Sequence, residues 1–234
     1  MAEHWEISED VVYHLRDKNP ELVDSWREMF ADYADNVKIS QGDIFQGAPA
    51  VDALVSPANS FGFMDGGIDY VYTKHFGVQM QNRLQKVIQN KHNGELLVGN
   101  AVVIPSYGPE GRDKSAKDWS KYNDGVPIKY LISAPTMRIP LNVANTPNAY
   151  LAFRAVLLAV RKHNSKPNVE PIRSVLVPGL GTAVGRMPKN RCAFQMLQAY
   201  ETCVLNKHPT RIEPVCLEEM YLDHEKLCEF SGNK

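Results

Sequence analysis

The sequence has no excess of basic residues and no long apolar run. Its 234 residues carry a formal net charge of −1, whereas a protein that binds duplex DNA needs a basic surface, so DNA binding is not expected. No apolar stretch approaches the roughly 20 residues that cross a bilayer, so no membrane span is expected. The opening residues, MAEHWEISED, carry acids and lack the basic and apolar segments of a secretion signal, which favours a cytoplasmic protein.

Cysteine is scarce, and its spacing is not that of a metal site. The four cysteines form no C-x-x-C pair and have no histidine nearby at a metal-ligand spacing. We therefore expect reduced, mostly buried thiols, no zinc site and no cofactor. No serine–histidine–aspartate or cysteine–histidine pair is recognisable, so the sequence gives no support to catalysis by an activated side-chain nucleophile.

Strand-like and helix-like segments alternate along the chain. Strands are predicted within residues 9–17, 37–40, 51–55, 101–105, 127–134 and 173–178, the first as an outer strand and 101–105 as a buried one. Helices are predicted within residues 19–33, 68–91, 146–163 and 188–206, with a break or a kink at Gly77. This alternation predicts a layered α/β fold with a largely parallel central sheet.

No internal repeat or linker-like composition divides the chain. We expect residues 1–234 to form one domain with its core at about 37–206, a strand–helix extension before it and a C-terminal cover after it. The polar segment 108–125 is interpreted as a long surface loop, either disordered or a lid over a site.

The stretch from Val51 to Asp69, VDALVSPANSFGFMDGGID, is the first candidate for a functional site. A short apolar strand opens into a loop of small and turn-forming residues, and a helical pattern begins near Gly66 and Gly67. Free N–H groups and the positive end of the helix dipole gather at such a start, which favours an anion site. A βα turn whose glycines only serve chain geometry explains the loop equally well.

A second glycine-rich loop, GLGTAVGRM at 179–187, also follows a predicted strand. In open parallel sheets, ligands bind beyond the carboxyl ends of the strands. Two such loops on one rim can hold the two ends of a diphosphate.

Three motifs occur in order along the chain: QGDI at 41–44, VSPAN at 55–59 leading to GGID at 66–69, and VPGLGTAVGRMP at 177–188. Together they resemble the macrodomain, the ADP-ribose-binding module. The resemblance runs from about residue 37 to 206. It implies a three-layer α/β/α fold with a mixed, largely parallel sheet and a site for ADP-ribose or a related nucleotide.

The resemblance also implies roles for single residues. Asp43 would accept a hydrogen bond from the adenine amino group and Ile44 would add a backbone contact beside it. Asn59 would contact the distal ribose, and Asp69 would face that ribose and a catalytic water. The remaining implied ligand contacts are Asp65, Gly66, Gly67, Ile68, Pro178, Gly179, Gly181, Thr182, Ala183, Val184, Gly185 and Arg186.

The chain departs from the family pattern at three places. The second loop lacks the aromatic that packs on the distal ribose and carries Arg186 instead, which is either a partner for a terminal phosphate or carboxylate or an ordinary surface arginine. Met64 and Asp65 replace two glycines, and Ser133 stands where a histidine is often found.

Two functions follow from the resemblance. The first is hydrolysis of an ADP-ribosyl linkage, in ADP-ribosylated protein, O-acyl-ADP-ribose or ADP-ribose phosphate, by a water that Asn59 and Asp69 orient. The second is a non-catalytic reader of ADP-ribose or a related nucleotide, which the missing aromatic favours. An ADP-ribosylated protein is a candidate partner in either case. An RNA-binding role is disfavoured by the charge.

Overall fold

The computed structural model describes residues 11–108 and 118–232. The strands are β1 Val12–Asp17, β2 Val37–Gln41, β3 Ala53–Ser56, β4 Val102–Pro105, β5 Tyr130–Ser133 and β6 Ser174–Val177. The helices are α1 Pro20–Met29, α2 Gly67–Phe76, α3 Gln79–His92, α4 Asn148–Asn164, α5 Lys189–Cys203, α6 Pro209–Ile212 and α7 Leu217–Glu229.

The six strands form one sheet in the order β2-β1-β6-β3-β5-β4. Every neighbouring pair is parallel except β4 and β5, which confirms the mixed, largely parallel sheet. The prediction that the first strand is an outer one is wrong, because β1 lies between β2 and β6. The prediction that residues 101–105 form a buried strand is also wrong, since β4 is an edge strand with only one residue buried.

Helices cover both faces of the sheet. In β3, Ala53 and Val55 pack in a core that also contains residues of α1, α4 and α5. Leu54 points the other way, as alternation along a strand requires, and packs in a core with residues of α2 and α3. The architecture therefore has the three α/β/α layers that the sequence resemblance implied.

The local signals read from the sequence set several helix ends. The Asn19 side chain accepts a hydrogen bond from the Leu22 amide at 3.2 Å and caps α1, with Pro20 at its first position. Gly77 has a positive φ of 85°, which ends α2 and separates it from α3. At the C-terminal end, the Phe230 ring stacks on Phe194 of α5 with 4.0 Å between ring centroids.

Part of the polar segment 108–125 is ordered, contrary to the disorder predicted as one of two alternatives. Residues 118–125 form two short 3₁₀ turns, and Trp119 is buried in a cluster with Phe45 and Phe76. The remaining residues of that segment, 109–117, lie outside the described residues, and with them the tip of the predicted lid.

Two further features concern membrane and metal binding. In the ranges that the structure covers, no helix has the length and apolar character needed to cross a bilayer. The same ranges contain no group of three or more His, Cys, Asp or Glu side chains placed to hold a metal ion.

All four cysteines are free; two are buried, one is half-buried and Cys216 is exposed, so the thiols are less buried than expected.

Asp52 joins three strands at the amino end of the sheet. One carboxylate oxygen accepts from the backbone amides of Arg173 (2.9 Å) and Ser174 (3.2 Å), and the other accepts from Lys129 at 3.1 Å. Burial raises the pKa of Asp52, but these hydrogen bonds outweigh it and hold the pKa below its usual value. The ionised carboxylate therefore stabilises the pairing of β3 with β5 and β6.

We predict that Asp52→Ala lowers the free energy of unfolding by about 2 kcal/mol at neutral pH, since two backbone amides and Lys129 lose a charged, partly buried acceptor. Because the folded pKa lies below the unfolded value, this stabilisation is present above about pH 4 and is lost as the pH falls further. Urea denaturation at pH 7 and pH 3.5 measures both effects. Asp24→Ala, at an exposed carboxylate paired with Arg27, is the control and should change stability by less than about 0.5 kcal/mol. Equal losses for the two variants would contradict the prediction.

Candidate functional site

A cleft of about 210 Å³ opens at the carboxyl ends of β1, β3 and β6. Its walls come from the loop after β3, the loop after β6 and the segment after β5. The predicted site residues that line it are Asn59, Asp65, Gly66, Gly67, Ile68, Asp69, Pro178, Gly179, Gly181, Thr182, Ala183, Val184 and Gly185. Asp43, Ile44 and Arg186 are not among its lining residues.

The start of α2 forms one wall of the cleft. Gly66 is the N-cap residue and no side chain caps the helix, so amides of the first turn lack an intrahelical partner. A Cβ added to Gly66 or Gly67 would meet nothing within 4 Å, which shows open space in front of this backbone. An anion placed there would meet free N–H groups and the positive end of the helix dipole.

The loop after β6 forms the opposite wall and is folded tightly on itself. Its Met187 amide donates to the Gly181 carbonyl at 3.0 Å, and Gly181 has a positive φ of 70°. A Cβ on Gly185 would lie 2.5 Å from the Gly181 carbonyl oxygen, so only glycine fits. Ala183 and Val184, by contrast, are exposed at the cleft, and side chains there can be changed without strain of this kind.

Asp17 is a cleft residue that the sequence reasoning missed. Its carboxylate accepts from the Asn19 amide at 2.9 Å and from the Gly179 amide at 3.2 Å, so it fixes the loop after β6 to the end of β1. The signal was present in the sequence, because Asp17 ends a predicted strand just as the other site residues follow theirs.

The segment after β5 is a third wall and was also missed. The Ser60 amide donates to the Arg138 carbonyl at 3.1 Å, and the Val143 amide donates to the Gly185 carbonyl at 2.8 Å. The segment is thus bonded to both glycine-rich loops and holds them at a fixed separation. It offers no glycine pattern, and its single charged residue, Arg138, is paired with Glu95, so local sequence reasoning had little to use.

Asn59 lines the cleft, but its side chain is used by its own loop. The amide oxygen accepts from the Phe61 and Phe63 amides at 3.1 and 3.3 Å, and the amide nitrogen donates to the Phe63 carbonyl at 2.9 Å. Asn59 therefore shapes the turn that presents Phe63 at the cleft. Its contact with a ribose stays a prediction.

Asp69 is the third residue of α2 and is only 7% exposed. Its Oδ1 accepts a hydrogen bond of 2.5 Å from the Ser56 hydroxyl at the end of β3. Burial raises the pKa of Asp69 to about 7, the Ser56 hydrogen bond opposes the rise, and the charge of Asp65 adds to it. Near neutral pH the carboxyl can therefore either donate or accept a proton.

Asp43 lies in the loop after β2 and is ionised. Its carboxylate pairs with Lys18 at 2.7 Å and accepts from the Phe45 and Gln46 amides at 3.0 and 3.1 Å. Burial raises the pKa of Asp43, but these partners lower it to about 2. Arg16, buried beneath the loop, donates to the Asp43 carbonyl at 2.7 Å and keeps the loop in place.

Two other predicted contacts, Ile44 and Arg186, lie outside the cleft lining. Ile44 is buried in the core on the α2 and α3 side of the sheet. Arg186 is exposed and lies at a surface depression with Glu21, Lys189 and Asn190. This position favours the interpretation of Arg186 as a surface arginine.

The charge of the cleft is unusual for an anion site. Asp17, Asp65 and Asp69 line it, and none of the lining residues is a lysine or an arginine. Lys189 lies outside the cleft lining, and its ammonium group donates to the Thr182 carbonyl at 2.9 Å. A phosphate bound here would therefore depend on backbone amides.

Comparisons with known proteins find distant likenesses. No family model matches the chain. An uncharacterized protein of Aquifex aeolicus (strain VF5) is 27% identical over 187 residues, which is 80% of this chain and 88% of that protein. A mutant Oceanobacillus iheyensis macrodomain with ADPR has a TM-score of 0.45 at 16% identity, covering 70% of this chain and 87% of that one. The Oceanobacillus iheyensis macrodomain with ADP has a TM-score of 0.44 at 16% identity, covering 70% and 86%.

We predict that Asp69→Asn makes stability less dependent on pH. The folded pKa of about 7 lies above the ordinary value of 3.8, so the folded state binds the proton more tightly. The free energy of unfolding of the wild type should therefore fall between about pH 4 and pH 7, by up to about 1.4 kcal/mol per pH unit. Urea denaturation at pH 5 and pH 8 measures this, and the variant should lose less stability than the wild type. An equal loss in both proteins would show that Asp69 titrates normally.

Proposed function

We propose that the chain is a divergent macrodomain whose cleft binds ADP-ribose or a derivative of it. One observation carries the proposal: the two glycine-rich loops, more than a hundred residues apart in the chain, face each other across one cleft. One loop offers the uncapped start of α2, and the other a compact glycine turn. Backbone donors on two sides suit the two phosphates of a diphosphate.

The proposed pose follows from the cleft walls. The diphosphate lies between residues 66–68 and residues 181–185, and the distal ribose lies toward Asn59 and Asp69. A cleft of about 210 Å³ is smaller than the roughly 300 Å³ at the lower end of small-molecule pockets. We therefore place the adenosine half beyond the cleft, toward Asp43, whose ionised carboxylate can accept from the adenine amino group.

Hydrolysis of an ADP-ribosyl linkage is the activity we propose for this cleft. A water held between the diphosphate and Asp69 would attack the anomeric carbon or the ester carbonyl, and the bond from that carbon to the leaving group would break. The Asp69 carboxylate would accept the proton of the water and return it to the leaving group. A pKa of about 7 suits this task, because a base works best when its pKa lies near the working pH. General-base help of this kind contributes roughly 10²–10⁴ in rate.

A non-catalytic reader is the second candidate, and the state of Asn59 favours it. Among the described residues, its side chain bonds only within its own loop: the oxygen accepts twice and the nitrogen donates once, so one N–H is left for a ribose. Turnover of ADP-ribosylated protein, compared with ADP-ribose binding by calorimetry, separates the two functions. If the protein binds ADP-ribose but shows no turnover at any pH between 6 and 8, the function is that of a non-catalytic reader.

We predict that Ala183→Glu weakens ADP-ribose binding by roughly tenfold or more. The new carboxylate would stand at the exposed rim of the cleft and repel both charges of the diphosphate, at about 1 kcal/mol for each pair of like charges roughly 4 Å apart in water, which together exceed the roughly 1.4 kcal/mol of a tenfold change. Ala183 is a better position than the buried, positive-φ Gly181, where any side chain would strain the loop. Isothermal titration calorimetry at low salt gives the affinity.

The matched control is Ala31→Glu, which makes the same substitution at an exposed position between α1 and β2, away from the cleft lining. The control should bind ADP-ribose like the wild type, and both variants should keep the wild-type thermal melt. Unchanged affinity in a folded Ala183→Glu protein would mean that the phosphates bind elsewhere.

A further inference from the structure

One hydrogen bond connects the cleft to the sheet beneath it. Ser56 is the last residue of β3 and is fully buried, and its hydroxyl donates to Oδ1 of Asp69. The Ser56 backbone is held by the sheet, since its carbonyl accepts from the Ala134 amide at 2.9 Å and it pairs with Ser133 of β5. The hydroxyl is therefore a donor on a rigid support.

The first turn of α2 needs such support. It begins at two glycines that have no side chains to pack, and no side chain caps it. One turn further along, the Tyr72 hydroxyl donates to the Val55 carbonyl at 3.0 Å and anchors the body of the helix. The bond from Ser56 to Asp69 is the corresponding anchor for the turn that faces the cleft.

We propose that Ser56 is the positioning residue for the Asp69 carboxyl, holding one oxygen against the sheet so that the other is presented to the cleft. The assignment rests on the proposed function of the cleft. Because Oδ1 accepts the serine proton, a proton taken up by the carboxyl goes to Oδ2. The same bond thus fixes where the carboxyl donates or accepts in the cleft.

Of the groups around Asp69, the Ser56 hydroxyl lowers the pKa of the Asp69 carboxyl, whereas the charge of Asp65 raises it. Asp65 lies in the preceding loop, and its negative charge disfavours the Asp69 carboxylate. Tyr72, on the next turn of α2, has a pKa raised well above its ordinary value, first by burial and then by the charges of Asp69 and Asp17. Against burial and Asp65, the Ser56 hydroxyl stabilises the ionised form of Asp69.

The neighbouring strand offers a matched control. Ser133 pairs with Ser56 in the parallel register and is equally buried. Its hydroxyl makes no hydrogen bond to any residue that the structure describes. Ser133→Ala therefore removes the same atom from the same layer of the sheet without removing a bond to Asp69.

The test is a carbon-13 carboxyl NMR titration of ligand-free protein, with the Asp69 resonance identified by its loss in Asp69→Asn. Ser56→Ala should raise the Asp69 titration midpoint by roughly one pH unit, because the ionised form loses a hydrogen bond. Ser56→Cys, which keeps a weak donor, should give a smaller rise. Ser133→Ala should leave the midpoint within about 0.3 units of the wild type.

An unchanged midpoint in folded Ser56→Ala, or an equal shift in Ser133→Ala, would overturn the assignment.

Single-turnover rates on ADP-ribosylated protein supply the second readout: Ser56→Ala should lower the rate at saturating substrate more than it raises KM, and its pH profile should move with the NMR midpoint. A midpoint that shifts in a protein without any ADP-ribose binding would support the contact and refute the cleft's proposed function. Normal ADP-ribose binding with an unshifted midpoint would refute the role of Ser56 alone.

Discussion

The cleft depends on the parallel pairing of β6 with both β1 and β3. In this register Val177 lies opposite Leu15, and Leu176 lies opposite Leu54, so the three strands end at the same edge of the sheet. Asp17, at one of these ends, then accepts from the Gly179 amide, 162 residues further along the chain, and Ser56, at another, donates to the Asp69 carboxyl, 13 residues further along. A one-residue slip in either pairing would turn the strand's apolar residues to the opposite layer and separate these contacts.

The cleft combines backbone donors with buried acid. A site lined by lysine or arginine would attract phosphate through long-range charge, whereas this lining carries carboxylates, so the proposed phosphate would be held by amides at short range. Burial raises the pKa of Asp69 to about 7, and a partly protonated carboxyl would repel the proposed diphosphate less than an ionised one. Ligand affinity should consequently be sensitive to the protonation of a residue that is itself part of the proposed chemistry.

Local sequence signals were sufficient for the type and order of most elements and for the two glycine loops, because periodicity and turn residues act over a few positions. They could not reveal that β1 is internal and β4 is at the edge, since strand order is a tertiary property. The segment after β5 carried no local signal, and its bonds to both loops are visible only in the fold. Likewise, nothing in the sequence shows that the Asn59 side chain turns back into its own loop, or that Ser56 bonds to Asp69.

The most direct test of the central claim, that the two glycine loops jointly hold a diphosphate, is an amide chemical-shift map of nitrogen-15-labelled protein titrated with ADP-ribose. We expect the largest shifts at residues 66–68 and 181–185, and we expect both groups to saturate along one binding isotherm. Shifts confined to one loop, separate isotherms for the two, or shifts clustered on another surface such as α6 and α7 would contradict it.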